Sequence, residues 1–167
     1  MILKMIRAKR PANANRSGEE GSALVELALS MPMLTIMLLG SAEFARLAYA
    51  SIEVANGAHA AAIYASYSQA ASSDTTGIGN AANSDAANLV GGGAISVTSV
   101  TSACSCADTS FTPASCSDNS TCISNNTSMV TTVTVQTQAE YSPVIRVPGT
   151  ASSYTLHATS TQVVSNQ

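Results

Sequence analysis

The sequence predicts an α+β protein: a long N-terminal membrane-spanning helix extended into a small head with a short second helix and about three antiparallel strands. Three observations predict it. The stretch from Leu27 to Ala42, between Glu26 and Glu43, carries no charge. The run that follows, to Ser66, is alanine-rich, with only Gly57 opposing helix. After Gly93 the pattern turns to period two, with β-branched residues in alternation.

The helix comes first. At about 1.5 Å per residue the uncharged stretch covers roughly 24 Å. That is short of a hydrocarbon core of roughly 30 Å. Adding Ala23, Leu24 and Val25 completes the span but takes Glu26 into the membrane. A carboxylate there costs about 2.5–3.5 kcal/mol and calls for a partner. Lys4, Arg7, Lys9, Arg10 and Arg16 all precede Gly21. A basic leader, a glycine, and a glutamate five residues further on form the signal read by prepilin peptidases. Cleavage after Gly21 gives Ser22 a new α-amine, which Glu26 neutralises one helical turn away or between subunits. The plainer alternative has Glu26 reaching the membrane surface. The basic leader orients the helix with the C-terminal part outside the cytoplasm. A second processing reading is an ordinary signal peptide cut after the small residues of Leu38-Leu-Gly-Ser-Ala42, with Glu26 then inside its apolar region.

Residues 1–20 read as a leader without helix, given Pro11, Ser17 and Gly18. Helix is expected from Ser22, with a bend or loosened turn at Pro32. Beyond Glu43 the residues Phe44, Leu47, Ser51, Val54, Ala58, Ala61 and Ala65 form a thin stripe of mostly small residues that docks on the sheet. Glu43 and Arg46 are spaced to pair. His59 reads as a solvent-facing or interface residue, since no acid or nucleophile is spaced with it.

The head follows. Residues 66–77 read as loop. Asn80 to Val90 supports a second helix, with Ile78, Ala82, Ala86, Leu89 and Val90 on one face and Gly91-Gly-Gly93 as its stop. Ile95, Val97 and, after a shift, Val100 mark a first strand. Met129 to Tyr141 is the second, and Tyr154 to Val164 the third, with His157 a structural residue on its face. Pro143 and Pro148-Gly149 connect the last two.

Cys104, Cys106, Cys116 and Cys122 fall in a polar insert, residues 104–126, with too little apolar surface to fold alone. An even cluster in an extracytoplasmic chain predicts two disulfides. Cys104 to Cys106 is the least favoured pairing, because neighbours two apart in an extended segment diverge. Zinc is the rival reading, but the spacing matches no standard ligand pair and no histidine lies nearby.

Composition excludes several functions. The chain of 167 residues has no Trp and 4% aromatics, so its core is thin. Without residues 1–21, two Arg stand against eight Asp and Glu, and no basic patch remains for nucleic acid. There is no phosphate-binding glycine loop, paired metal ligands or nucleophile elbow, so neither catalysis nor a cofactor or metal is expected.

Gly21-Ser-Ala-Leu-Val-Glu26-Leu-Ala-Leu, then Pro32, then Leu39-Gly-Ser-Ala-Glu-Phe-Ala-Arg46 resembles the TadE-like family, the minor pilins or pseudopilins of tight-adherence (Tad/Flp) pilus systems. The likeness covers roughly residues 16–66. It departs at Glu19 and Glu20, where the family is usually basic, and around Asn56 to Ala62, which lacks an arginine often found there. The resemblance implies a substrate of prepilin peptidase, with Gly21 and Ser22 as the processing site and Glu26 acting in assembly. It implies as partners the major Flp pilin, other minor pilins, inner-membrane Tad platform proteins and membrane lipid, and indirectly an assembly ATPase. The protein is then a single-pass inner-membrane protein that enters or primes a surface pilus used in adhesion. The expected organisation is a cytoplasmic leader over 1–21, a transmembrane and extended helix over 22–66, and an extracytoplasmic head over 67–167. The alternative is a membrane-anchored or signal-peptidase-released extracytoplasmic binding protein outside any pilus.

Overall fold

The computed structural model describes residues 17–89, 93–146, 149 and 151–164. The basic residues of the leader, Lys4 to Arg16, lie outside them. The chain divides into two compact units, one ending at Ala42 and the other beginning at Glu43.

Helix α1 runs Ser17–Ser66. It begins earlier than the expected Ser22, so Ser17 and Gly18 do not keep the chain out of helix. Helical backbone continues on both sides of Pro32 without a break.

From Glu43 onward α1 belongs to the head. Ala50, Val54, Ala58, Ala61, Ala62 and Ala65 are buried. Phe44 and Ser51, placed in the stripe by spacing, are exposed. Ala50 and Ala62 fill the face instead.

The expected loop after Ser66 contains helix α2, Gln69–Ser73, and the start of helix α3, Thr75–Asp85. Two local caps make the difference. Ser68 Oγ accepts from the Ala71 N–H at 3.2 Å, and Asp74 Oδ1 from the Gly77 N–H at 2.9 Å. Together with the Tyr64 hydroxyl at 2.8 Å, the Gly77 N–H holds the Asp74 carboxyl below its usual range. α3 ends at Asp85, short of the expected Val90. The Ala86 N–H closes its last turn on Ala82 O, and a separate turn follows, the Leu89 N–H bonding Ala86 O at 3.2 Å. Ile78, Ala82 and Ala86 are buried on one face, as their spacing indicated. Val90, Gly91 and Gly92 lie outside the described residues.

Four antiparallel strands follow: β1 Ser96–Cys106, β2 Pro113–Ala114, β3 Met129–Tyr141 and β4 Tyr154–Val163, in the order β2-β1-β3-β4. β3 coincides with its expected bounds and β4 with all but the last residue. The two-residue β2 is additional, and β1 runs on through Cys106, so two of the four cysteines sit in a strand. The shift expected before Val100 is a register break between Val97 and Ser99. On β3 the side chains of Val133, Val135, Thr137, Ala139 and Tyr141 are buried in alternation. Val133, Val135 and Ala139 meet α1 and α3 in one core with Val54, Ala61, Ile78, Ala82 and Ile95. Thr137 Oγ1 donates to Val54 O at 3.3 Å, which satisfies the one buried polar side chain of that face. Beyond β3 the chain passes through Pro143 and reaches Gly149, whose φ of 92° suits glycine. Pro148 lies outside the described residues.

Ile95 is held from α3. The Asn83 amide accepts from the Ile95 N–H at 2.9 Å and donates to Ile95 O at 3.0 Å, as a neighbouring strand would. Gly57 makes the seam possible. A Cβ there would stand 2.6 Å from Ile95 Cδ1 and 3.0 Å from Ala82 O.

Candidate processing and assembly site

Residues 21–42 form the apolar part of α1. Leu24, Leu29, Met33, Ile36 and Leu38 are each more than two-thirds exposed, and no residue of the stretch is buried. A helix apolar all round needs an apolar medium or other helices about it. The stretch carries its few polar groups accordingly. Ser30, Thr35 and Ser41 return their hydroxyl protons to Leu27 O, Met31 O and Leu38 O at 3.1, 2.8 and 2.9 Å. Pro32, having no N–H, leaves Ala28 O without its usual intrahelical donor. Among the described residues this is the one helix long and apolar enough to cross a membrane.

Gly21, Ser22 and Glu26 lie at the start of this stretch, exposed, on helical backbone. Gly21 has open space where a side chain would stand. Ser22 and Glu26 are four residues apart, about 6 Å along the axis and on one face.

The apolar stretch ends at Glu43, the first residue of the head. Glu43 Oε1 accepts from the Tyr141 hydroxyl at 2.6 Å and from the Val144 N–H at 3.2 Å, while Arg46 Nη1 lies 3.4 Å from Oε2. Arg46 is the partner that spacing indicated. Tyr141 and Val144, about a hundred residues away, carry no sequence signal for it. The Tyr141 hydroxyl is the main cause that holds the Glu43 carboxyl below its usual range, and the Val144 N–H and Arg46 add to it. Burial, with Glu43 beside it, pushes the Tyr141 hydroxyl up.

A carboxyl held low in the folded state stabilises it above the unfolded pKa, and that contribution goes as pH falls through the folded value. Asp74, Asp108 and Asp118 are also held low, so acid alone does not isolate Glu43. The difference between proteins does. Between about pH 5 and pH 3, melting of the wild-type head is expected to fall more steeply than that of Glu43→Gln. Parallel curves in a thermal melt against pH would remove this role.

The four cysteines close two crossed loops on one end of β1. Cys104 is bonded to Cys116 and Cys106 to Cys122, each with a Cα–Cα distance of 5.1 Å. Alternate strand residues thus take partners in different parts of the insert, in keeping with the disfavoured Cys104–Cys106 pairing. Cys106 and Cys122 are fully buried. With every thiol in a disulfide, the zinc reading has no thiolate ligands. The insert is further ordered by Asp108, whose carboxylate accepts from the Thr112 hydroxyl at 2.6 Å and from the Ser110 and Thr112 N–H groups.

His59 is exposed, as expected, and its Nδ1 lies 3.3 Å from Gln162 Nε2 and 3.5 Å from Ser160 Oγ on β4. His157 is exposed on the opposite face of the sheet.

No curated protein and no solved structure matches this chain. One family model does, that of the TadE-like protein, over residues 21–62. The match opens at the exposed glycine, covers the uncovered apolar helix and Glu43, and stops inside the face that packs on the head's sheet. Over residues 21–62, then, the chain carries the TadE-like segment that its sequence resembles, and this associates it with the Tad pilus machinery as a pilin-like protein.

Proposed function

We propose that this protein is a minor pilin, or pseudopilin, of a Tad/Flp-type pilus, with no catalytic step of its own. A prepilin peptidase cuts it between Gly21 and Ser22. The observation that carries the reading is the helix of residues 22–42: apolar on every side, without a buried residue, and joined to a head that has its own core. Such a helix has two uses in turn. It holds the precursor in the inner membrane, the head outside the cytoplasm, and then packs among the helices of the major Flp pilin and other minor pilins. The Tad platform proteins of the inner membrane mediate the transfer, and the pilus serves surface adhesion.

Glu26 acts at the transfer. In a bundle of apolar helices the Ser22 amine and the Glu26 carboxylate are each costly alone and tolerable together. A subunit enters where its glutamate meets an amine. Glu26→Ala tests this. The variant is expected to be cut at Gly21 and to form its disulfides. It is also expected to be depleted at least about tenfold from sheared surface fractions, because an unpaired amine in an apolar bundle costs several kcal/mol. Immunoblots of sheared and membrane fractions read the outcome. Wild-type amounts of the variant in pili would contradict it.

A further inference from the structure

The two edges of the sheet are treated differently. On the β1 side the register breaks at Thr98, β2 covers Cys104 and Ser105, both disulfides leave from the same end, and Asn83 occupies the backbone of Ile95. Each of these obstructs an incoming strand. On the β4 side there is none of this. Tyr154–Val163 pairs with β3 without a register break, contains no Pro, Gly, Lys, Arg, Asp or Glu, and has no strand beyond it among the described residues.

Val164 N–H bonds Thr131 O at 2.8 Å. Alternate residues of an antiparallel strand face the same neighbour. The N–H and C=O groups of Thr155, His157, Thr159, Thr161 and Val163 therefore point away from β3. All five residues are exposed, Val163 at 60%.

We propose that this edge pairs with the β4 of a second copy of the chain, antiparallel and centred on Thr159. The composition of β4 suits a second copy as the partner. β4 already lies against a threonine-rich strand, and Thr134 and Thr161 share a hydrogen bond of 2.8 Å across that pair. A second β4 offers the same chemistry: Thr159 meets Thr159, His157 meets Thr161, and Thr155 meets Val163. Centring on Thr159 leaves none of the five outward residues unpaired. The head is acidic, with two Arg against seven Asp and Glu from Glu43 onward. A strand without an ionised carboxylate is a place where two such heads can meet without like charges opposed. The inference does not require the pilus reading, and its test does not use pili.

The test is crosslinking of the full chain in membranes. Thr155, His157, Thr159, Thr161 and Val163 are replaced by cysteine one at a time; the native cysteines are all in disulfides and do not compete. A short thiol-to-thiol crosslinker is expected to give a covalent dimer from Thr159→Cys alone. It should give mixed dimers from His157→Cys with Thr161→Cys and from Thr155→Cys with Val163→Cys. Thr159→Pro should abolish the mixed dimers while the head keeps its disulfides, because the lost N–H points away from β3. No dimer at these positions, dimers at every position whatever the pairing, or a product with a different protein would each overturn the proposal.

Discussion

Replacing Gly57 with leucine is expected to leave no cooperatively folded head. Gly57 lies where α1, α3 and the start of β1 come together, and a Cβ there would meet both Ile95 Cδ1 and Ala82 O. The isoleucine tip can rotate away. The carbonyl cannot, because it belongs to the backbone of α3. Nor is the β1 side free to retreat, since Asn83 fixes Ile95 through both backbone groups. Alanine sets the scale. It gains about 1 kcal/mol of helix propensity over glycine and loses about 1–3 kcal/mol to overpacking. Gly57→Ala should therefore lower the melting temperature by at most about 10 °C. Leucine adds three further carbon atoms to the same gap in a core built mainly of alanine and valine, with little slack to absorb them. A thermal melt of detergent-extracted protein decides it. A wild-type melting temperature for Gly57→Leu would show that the seam is not close-packed.

Loss of the disulfides has the other large effect. The loops they close have sequence separations of 12 and 16 residues. Chain entropy puts each at about 3 kcal/mol. Few apolar side chains in the insert compensate: Phe111 and Ile123 both stand exposed. Cys106→Ser with Cys122→Ser should be the more damaging pair, because those two sulfurs are fully buried whereas Cys116 is exposed. The expected result is early proteolysis within residues 107–128 while β3 and β4 stay protected. Non-reducing peptide mapping of the wild type should recover the Cys104–Cys116 and Cys106–Cys122 pairs. Free thiols in protein taken from the cell envelope would contradict the assignment.

Much of this architecture was legible because its signals are local or periodic. β3 could be read from alternation alone, since Val133, Val135 and Thr137 each face the core. The apolar helix could be read from missing charge. What escaped was of two kinds. Short helices such as α2 rest on single capping side chains, Ser68 and Asp74, in a stretch whose composition resembles loop. Contacts between distant segments leave no spacing to read. Glu43 shows both sides. Its i, i+3 partner Arg46 was visible, whereas Tyr141, which makes the shorter contact, was not. The cysteines gave their number and excluded one pairing, but only the fold of β1 against the insert distinguishes the remaining two.

The central claim is that this chain becomes a pilin-like subunit by cleavage between Gly21 and Ser22, and the mature N-terminus tests it most directly. Intact-mass analysis and N-terminal sequencing of membrane-extracted protein are expected to show a chain beginning at Ser22. The precursor should accumulate when Gly21 is replaced by alanine or anything larger. A mature chain beginning at Glu43, as ordinary signal-peptide processing would leave it, or an N-terminus unchanged by the Gly21 substitution, would contradict the account.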